Sequence, residues 1–340
     1  MTMRKLTLLF FSLSGLISCG ATDERSAKVS DRVQSVAYLS SADGNLDIYI
    51  KDVKTQEVNQ VTNNELDDLN PTWSFDGNHL AFLGRTLNST FIELYNVASK
   101  KRKTLVDTAH SPTWIAFSPN ENLLVFIGTD DEKQSVKTVD LMSNIQTVYT
   151  PEKAELISPK FSRDGSRIAV IENDNITILT KQGIKSEIVP TQYRILDFDW
   201  GESDSSLYVT ARFEKNINIY HLDISNNQLE LIVESPFIDI EGRFFPPNNL
   251  LFLSSRLDGT TRQLYLLDLE SKISEQLSPS GIEIMNPSWS SDGKAVAYTQ
   301  YVEGRFTSVL LEINTHTHTP VSPTDSGFHL LPKVRPLPRK

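Results

Sequence analysis

The sequence of 340 residues predicts an all-β protein, a seven-bladed β-propeller of four-stranded blades. Three observations lead to this prediction. A short motif recurs about every 44 residues, apolar runs alternate with turn residues as in β-hairpins, and the last strand-like segment resembles the segment that begins the other blades.

Residues 1–18 resemble an export signal. Arg4 and Lys5 precede the apolar run LTLLFFSLSGLIS, which is too short to span a bilayer as a permanent helix. The run ends in LIS followed by Cys19, the only cysteine of the chain. This ending resembles the lipobox of bacterial lipoproteins, whose cysteine becomes the lipid-bearing N-terminus. The resemblance implies lipidation of Cys19 and, because Gly20 follows, a periplasmic protein anchored to the outer membrane.

Residues 19–34 are polar and lack periodicity, which predicts a flexible tether, and residues 35–340 then form a single propeller domain. The whole chain has 33 basic and 43 acidic residues. Without residues 1–18, 31 basic residues remain against 43 acidic ones, a net charge of −12. A chain this acidic is not expected to bind nucleic acid.

The recurring motif is clearest in NPTWSFDG at 70–77 and NPSWSSDG at 286–293. Weaker copies lie between them, and one aromatic position aligns in all copies. The aligned residues are Trp73, Phe117, Phe161, Trp200, Phe245 and Trp289, spaced by 44, 44, 39, 45 and 44 residues. A period in the low forties is typical of four-stranded propeller blades.

Each copy predicts the same local structure. The aromatic residue ends the innermost strand and packs between blades, and Ser-x-Asp-Gly forms the turn into the second strand. In such a turn, Asp accepts hydrogen bonds from backbone N–H groups and Gly takes a positive φ. A third strand with the pattern of IYIKDV, at 48–53, and an outer strand complete the blade.

The number of third-strand units sets the number of blades. Seven such units occur, but the first has no innermost-strand motif before it. The segment LPKV at 331–334 resembles SPKF at 158–161, and Val334 follows Trp289 by 45 residues. We therefore expect the C-terminal segment to supply the innermost strand of the first blade and to close the ring. Six or eight blades stay open as alternatives if one copy is misread.

The strings PTWSFDGNHLAFLG, SPKFSRDGSRIAVIE and NPSWSSDGKAVAYTQ resemble the repeat of TolB-type β-propellers, which is also found in propeller domains of prolyl-oligopeptidase-like enzymes. The resemblance covers nearly the whole chain after the export signal. It implies the propeller fold and a noncatalytic, protein-binding role in the cell envelope, because TolB-type proteins bind the peptidoglycan-associated lipoprotein at the channel mouth. The repeat itself serves many functions.

The sequence predicts no enzyme, no cofactor and no metal site. Blades occupy residues 35–340, which leaves no room for a catalytic α/β domain, and no Gly-x-Ser-x-Gly motif occurs. The histidines are spread over different strands and turns, although His316 and His318 could share one face of an outer hairpin. A column of polar residues at one point of successive blades is expected to cap hairpin turns: Asp52, Asn96, Asp140, Asp223, Asp268 and Glu312.

The candidate binding surface is the face opposite the Ser-x-Asp-Gly turns, which we call the entry face. Loops entering the innermost strands meet there with hairpins between second and third strands. The charged residues predicted on this face are Asp67, Asp68, Arg85, His110, Glu155, Arg194, Arg212, Glu241, Arg256, Glu283 and Arg305. Mixed charge around a channel suits a protein or polar ligand, while salt bridges between blades are the alternative interpretation.

Two functions follow from these patterns. The first is a noncatalytic scaffold that binds a cell-envelope protein on the entry face. The alternative is a propeller that binds or processes a carbohydrate or peptide at the channel mouth, which would require a ligand-sized cavity with converging charged groups.

Overall fold

A computed structural model describes residues 35–189, 193–323 and 327–337, so the predicted signal peptide (1–18) and the tether (19–34) with Cys19 lie outside the described residues. Within these ranges the chain forms 28 β-strands in seven four-stranded antiparallel sheets. The predicted all-β, seven-bladed architecture is confirmed. In the described part of the chain, no helix is long and apolar enough to cross a membrane.

The strands follow one another blade by blade. Blades 1 to 4 contain β1 (Ser35–Ser40), β2 (Asp47–Asp52), β3 (Val58–Gln60), β4 (Leu69–Trp73), β5 (His79–Arg85), β6 (Thr90–Asn96), β7 (Lys101–Val106), β8 (Thr113–Phe117), β9 (Leu123–Asp130), β10 (Lys133–Asp140), β11 (Ile145–Tyr149), β12 (Leu156–Phe161), β13 (Arg167–Glu172), β14 (Asn175–Thr180) and β15 (Lys185–Val189). A short 3-10 turn, Thr108–His110, precedes β8.

The remaining strands build blades 5 to 7 and return to blade 1. They are β16 (Arg194–Trp200), β17 (Ser206–Phe213), β18 (Asn216–Asp223), β19 (Gln228–Val233), β20 (Asp239–Phe245), β21 (Asn249–Ser254), β22 (Gln263–Asp268), β23 (Ser274–Gln276), β24 (Glu283–Trp289), β25 (Ala295–Val302), β26 (Arg305–Glu312), β27 (Thr317–Pro320) and β28 (His329–Val334).

The C-terminal strand closes the ring as predicted. β28 pairs antiparallel with β1, so blade 1 has the order β28-β1-β2-β3. Val334 lies opposite Val36, and the N–H of Arg335 donates to the carbonyl of Ser35 at 2.9 Å. The first and last blades are thereby joined through a shared sheet rather than through two free edges.

The aromatic residues of the motif lie between blades, as the sequence predicted. Trp73 packs against Leu39 of blade 1 and Leu80 of its own blade. Its indole N–H donates to the carbonyl of Lys333 at 2.9 Å, and Trp200 donates in the same way to Lys160 at 3.1 Å. Each tryptophan therefore fills the apolar seam and bonds to the innermost strand of the preceding blade.

The prediction was wrong about one aromatic position. Phe244, not Phe245, is equivalent to the other aromatic residues, because Phe244 pairs with Leu250 as Trp289 pairs with Val296. Five residues separate Phe244 from Leu250, whereas six separate Trp289 from Val296. The turn of blade 6 is one residue shorter, so alignment through the turn shifted the strand by one position.

The turns of the motif have the predicted hydrogen bonds. The hydroxyl of Ser74 donates to Asp76 Oδ1 at 2.6 Å, the N–H of Asn78 donates to the same oxygen at 2.9 Å, and Gly77 has φ of +69°. The polar column also caps its own hairpins. The observed pairs include Asp52 with the N–H of Lys54, Asn96 with Ser99, Asp140 with Met142, Asp223 with Ser225 and Asp268 with Glu270, and Glu312 accepts from the Thr315 hydroxyl.

A β-bulge recurs in the innermost strands, three residues before the residue that packs between blades, such as Trp73 or Val334. In six innermost strands the bulged residue is not glycine and has a positive φ: Asn70, Trp114, Ser158, Glu241, Asn286 and Leu331. The strand register shifts at the same places, for example between Leu69 and Thr72. All six residues line the central channel. The bulges therefore bring these six residues to the wall of the channel at the axis of the propeller.

Candidate functional site

The predicted face residues are spread over blades 2 to 7, and one pair among them is Arg85 with Asp67. Arg85 Nη1 lies 3.6 Å from Asp67 Oδ2, with both side chains more than one-third exposed. Asp67 also accepts a hydrogen bond from the N–H of Leu46 at 2.9 Å. This pair joins the hairpin of blade 2 to the loop that enters the same blade.

Other predicted residues pair with groups that the prediction did not include. Arg194 Nε lies 3.1 Å from Asp174 of the preceding blade, and Glu283 binds the guanidinium of Arg262, also from the preceding blade. Arg256 Nη2 is 3.4 Å from Asp239, whose side chain is fully buried. Salt bridges between and within blades thus account for part of the charge on the entry face.

His110 belongs to a three-membered cluster. Its Nδ1 is 3.0 Å from Asp130 Oδ1, and Lys137, which is buried, binds the other oxygen of Asp130. Burial alone would raise the pKa of Asp130, but the hydrogen bonds from Lys137 and His110 hold it below its usual value. His110 lies in the 3-10 turn that precedes the innermost strand β8.

Two of the predicted residues do not lie on the open surface. Asp68 is only 2% exposed and accepts a hydrogen bond from the amide of Asn64 at 2.7 Å. Glu241 lies within β20, at its bulge, and lines the central channel. Glu155, Arg212 and Arg305 are exposed on the loops and hairpins of the entry face.

Most of the described histidines have separate polar neighbours. His79 contacts Asn96, His221 contacts Ser206, His318 contacts Tyr298 and His316 lies 3.4 Å from Glu275. His316 and His318 therefore do not share one ligand. Across the described ranges, no group of three or more His, Cys, Asp or Glu side chains is arranged to hold a metal ion.

The central channel contains a charged group that was not predicted from the sequence. A cavity of about 530 Å³ lies between the innermost strands. Asp197 accepts from Lys160 at 3.1 Å and from Arg243 at 2.5 Å, and Arg243 is 3.8 Å from Glu241. Although burial alone would raise the pKa of Asp197, Arg243 and Lys160 hold it well below the usual value.

Lys333 lies in the same channel on β28. Burial, with Arg243 nearby, lowers the pKa of Lys333 to about 8. Lys160 and Lys333 each precede the residue that packs between blades, so strand alternation turns their side chains toward the axis. The Pro-Lys pair shared by SPKF and LPKV was the sequence feature that could have predicted two lysines in the channel.

The second feature missed by sequence reasoning is a set of exposed aromatic side chains. Among the described residues, the aromatic side chains that are more than a third exposed are Trp114, Phe213, Phe237, Tyr301 and Phe328. Four of them lie in entry-face loops or hairpins, and Trp114 lines the channel. The large apolar residues exposed on the opposite hairpins are not aromatic: Met142, Ile184 and Ile273. The exposed aromatic surface is therefore confined to the entry face and the channel.

These aromatic residues form small clusters. Phe306 lies between Tyr301 and Phe328, with ring centroids 4.8 and 5.5 Å away. On the other side of the face, Tyr193 lies 5.0 Å from Phe213. Arg305 and Arg212 adjoin these clusters in sequence. Both arginines are exposed, so the entry face carries guanidinium groups as well as aromatic rings.

Solved structures share this fold at low sequence identity. TolB from Acinetobacter baumannii aligns with a TM-score of 0.58 and 14% identity, covering 89% of this chain and 67% of that chain. An oligogalacturonate lyase from Vibrio parahaemolyticus gives a TM-score of 0.66 and 13% identity, covering 84% and 88%. A puromycin-hydrolyzing peptidase from Mycobacterium tuberculosis gives 0.67 and 13%, covering 82% of this chain and 50% of that one.

The sequence comparisons are narrower. No curated protein was found to match the sequence of this chain. A family model described as the TolB beta propeller domain matches residues 143–329, which is more than half of the chain. The match includes the outer strand of blade 3 and extends to the first residue of the closing strand. The chain therefore belongs to the TolB beta propeller domain family.

Proposed function

We propose that this protein is a noncatalytic scaffold that binds a protein of the cell envelope on its entry face. The observation that carries the proposal is the confinement of the exposed aromatic side chains to that face and the channel. Tyr, Trp, Phe and Arg are enriched in protein interfaces and in the residues that dominate binding energy. The opposite hairpins expose single aliphatic residues instead.

Two patches are the proposed contact points. The first contains Tyr301, Phe306 and Phe328, and the second contains Tyr193 and Phe213. We assign the exposed charged residues predicted from the sequence, such as Arg212 and Arg305, to the polar rim of these patches. Because exposed ion pairs such as Arg85 with Asp67 contribute little alone, we expect the rings to supply most of the affinity.

We also propose that the protein acts in the periplasm, tethered by residues 19–34 to a lipid on Cys19 at the outer membrane. Arg4, Lys5 and the following apolar run support export, and the LIS-Cys19 ending supports lipidation. TolB from A. baumannii has the same fold, which is compatible with an envelope role. A tether of this kind would let the entry face meet a partner near the membrane.

Site-specific photo-crosslinking in intact cells tests the proposal. A photoreactive residue replaces Tyr301 or Phe213 in one set of variants, and Met142 or Ile273 in a matched set on the opposite hairpins. We expect a defined protein adduct from the first set only. Equal adducts from both sets, or adducts from Met142 and Ile273 alone, would contradict the assignment of the entry face.

The channel supports a second candidate function, the binding or processing of a carbohydrate or peptide. Its cavity of about 530 Å³ with converging charged groups has the size and chemistry of a small-molecule site. An oligogalacturonate lyase and a peptidase are among the proteins of the same fold. Turnover of a glycan or peptide by the purified protein, without any crosslinked protein in cells, would favour this function over the scaffold.

A further inference from the structure

The wall of the central channel is divided into a charged side and a largely uncharged side. Lys160, Asp197 and Arg243 belong to the consecutive blades 4, 5 and 6, and they are linked by ion pairs of 3.1 and 2.5 Å. Glu241 lies 3.8 Å from Arg243, so two carboxyl groups balance the two cations within the wall itself. Trp114 and Leu331 line the same cavity from blades 3 and 1.

Lys333 is the cation that this network leaves out. It lies on β28 of blade 1, and within the described residues no carboxylate is within 4.0 Å of its ammonium group. Its ordinary charge is retained at neutral pH, because a pKa of about 8 still leaves most of the group protonated. A partly buried cation without an ion-pair partner favours the binding of an anion.

The remaining charges of the channel limit what kind of anion fits. Three cations, Lys160, Arg243 and Lys333, face three carboxyl groups, Asp197, Asp199 and Glu241. With a net charge near zero, the channel can accept one negative charge at Lys333, while a dianion would be repelled by the nearby carboxylates. A singly charged carboxylate meets this condition better than phosphate.

Trp114 supplies an apolar surface for the rest of the ligand. Its side chain is 43% exposed although it lines the cavity, and its backbone has φ of +49°. This positive φ belongs to the β-bulge that recurs in six innermost strands, and the bulge places Trp114 at the channel wall. Leu331 has the same conformation, with φ of +51°, two residues before Lys333.

We propose that the channel is a binding site for a carboxylate, with Lys333 holding the carboxylate and Trp114 contacting the apolar part of the molecule that bears it. The carboxylate can belong to a free organic acid or to an acidic side chain or chain end of the protein partner. In the second case the inference rests on the proposed function, and in the first it stands alone.

Calorimetric titration of the purified protein with benzoate tests the site, with benzyl alcohol and phosphate as comparison probes. We expect benzoate to bind and the neutral alcohol and phosphate to bind more weakly. Lys333→Met should weaken benzoate binding about tenfold or more, whereas Lys333→Arg keeps the charge and should restore it. Lys101→Met, at an exposed position of β7, is the matched control.

Thermal unfolding of each variant shows whether Lys333→Met still folds, and removal of an unpaired cation should leave the melting temperature unchanged or higher. Equal benzoate affinities of the wild type and a folded Lys333→Met variant would overturn the inference. Absence of benzoate binding combined with unchanged crosslinking of Lys333→Met at Tyr301 would overturn it as well.

The same variants distinguish the two sources of the carboxylate. If benzoate competes with the adduct at Tyr301 and Lys333→Met lowers its yield, the carboxylate comes from the protein partner. If benzoate binding depends on Lys333 but the adduct does not, the ligand is a free acid. If no adduct forms at all while Lys333-dependent benzoate binding persists, the proposed scaffold function fails and the carboxylate site stands.

Discussion

Two buried carboxyl groups, Asp47 and Asp68, lie where the chain passes from blade 1 to blade 2. They are 1% and 2% exposed. The Thr62 hydroxyl donates to Asp47 Oδ1 at 3.0 Å, and the amide of Asn64 donates to Asp68 at 2.7 Å. Burial raises the pKa of both groups, and that of Asp68 to about 6. Asp68 is therefore expected to affect the stability of the fold rather than the binding of a partner.

The pH dependence of stability should depend on Asp68. Between the ordinary pKa near 3.8 and about 6, the folded protein holds a proton that the unfolded chain has released. The free energy of unfolding therefore decreases as pH rises through this window. Asp68→Asn should flatten this decrease and raise stability at pH 7 by on the order of 2 kcal/mol, measured by urea unfolding between pH 4 and 7.

Asp67→Asn is the control for this experiment, because the neighbouring carboxylate is 38% exposed and paired with Arg85. It should keep the slope of the wild type. An Asp68→Asn variant that retains the full slope would show that another group, such as Asp47, carries the pH dependence.

At the scale of the element, the Ser-x-Asp-Gly turn of blade 2 does more than reverse the chain. A Cβ atom on Gly77 would lie 2.4 Å from the carbonyl oxygen of Pro336. Arg335 Nε donates to the carbonyl of Gly77 at 2.7 Å, and its guanidinium lies over the ring of Trp73. The turn thus holds the segment that follows the closing strand.

Gly77→Ala should therefore destabilise the protein more than an alanine at a comparable open turn. Gly281 has φ of +75°, close to the +69° of Gly77, but nothing lies within 4 Å of its Cβ position. Gly281→Ala should cost about 1 kcal/mol from backbone strain alone. Gly77→Ala should cost about 1 to 3 kcal/mol more because of the clash, as measured by chemical unfolding. Equal costs would indicate that the C-terminal segment does not press on this turn.

The closing strand β28 joins the first and last blades, and truncation tests its contribution to stability. A chain ending at residue 328 lacks β28 and exposes the inner edge of β1, whereas a chain ending at residue 334 keeps the strand. We expect the shorter chain to unfold at a lower temperature and to associate in size-exclusion chromatography. The longer chain should stay monodisperse with a small decrease in melting temperature from the loss of Arg335. Similar behaviour of both chains would contradict closure by β28.

The predicted lipid on Cys19 would attach the whole propeller to the membrane. Wild-type protein should fractionate with the membrane, and Cys19→Ala should release it into the soluble periplasmic fraction. Loss of one or more acyl chains removes the apolar surface that holds the protein on the bilayer. If Cys19→Ala is processed and retained in the membrane like the wild type, the lipobox interpretation is wrong.

The blades were predictable because each one is encoded almost entirely by a contiguous stretch of chain. Strand alternation, turn residues and the aromatic spacing are local signals, and they identified seven blades and the C-terminal segment that closes the first one. The structure adds the register, in which Val334 lies opposite Val36. The error at Phe245 arose at a turn that is one residue shorter than the others. A turn shortened by one residue keeps a similar sequence motif, but it shifts the alignment of the preceding strand by one position.

The candidate site was only partly predictable because it combines residues from many blades. Asp197 follows Lys160 by 37 residues and Arg243 follows Asp197 by 46, and the three side chains meet only at the axis. The entry-face charges were located by loop position, but their pairing, and the burial of Asp68, depend on neighbours from adjacent blades.

The fold class, the seven blades and the closure of the ring could therefore be predicted from local sequence patterns and are confirmed, whereas the export signal and the lipid on Cys19 stay predictions. Only the packed blades show which side chains face the channel, which charges are paired, and that the exposed aromatic residues lie on the entry face and in the channel. The physical reason is the range of the interactions. Hairpins and turns form between near neighbours in the chain, whereas ion pairs and exposed patches arise only after distant strands pack around one axis.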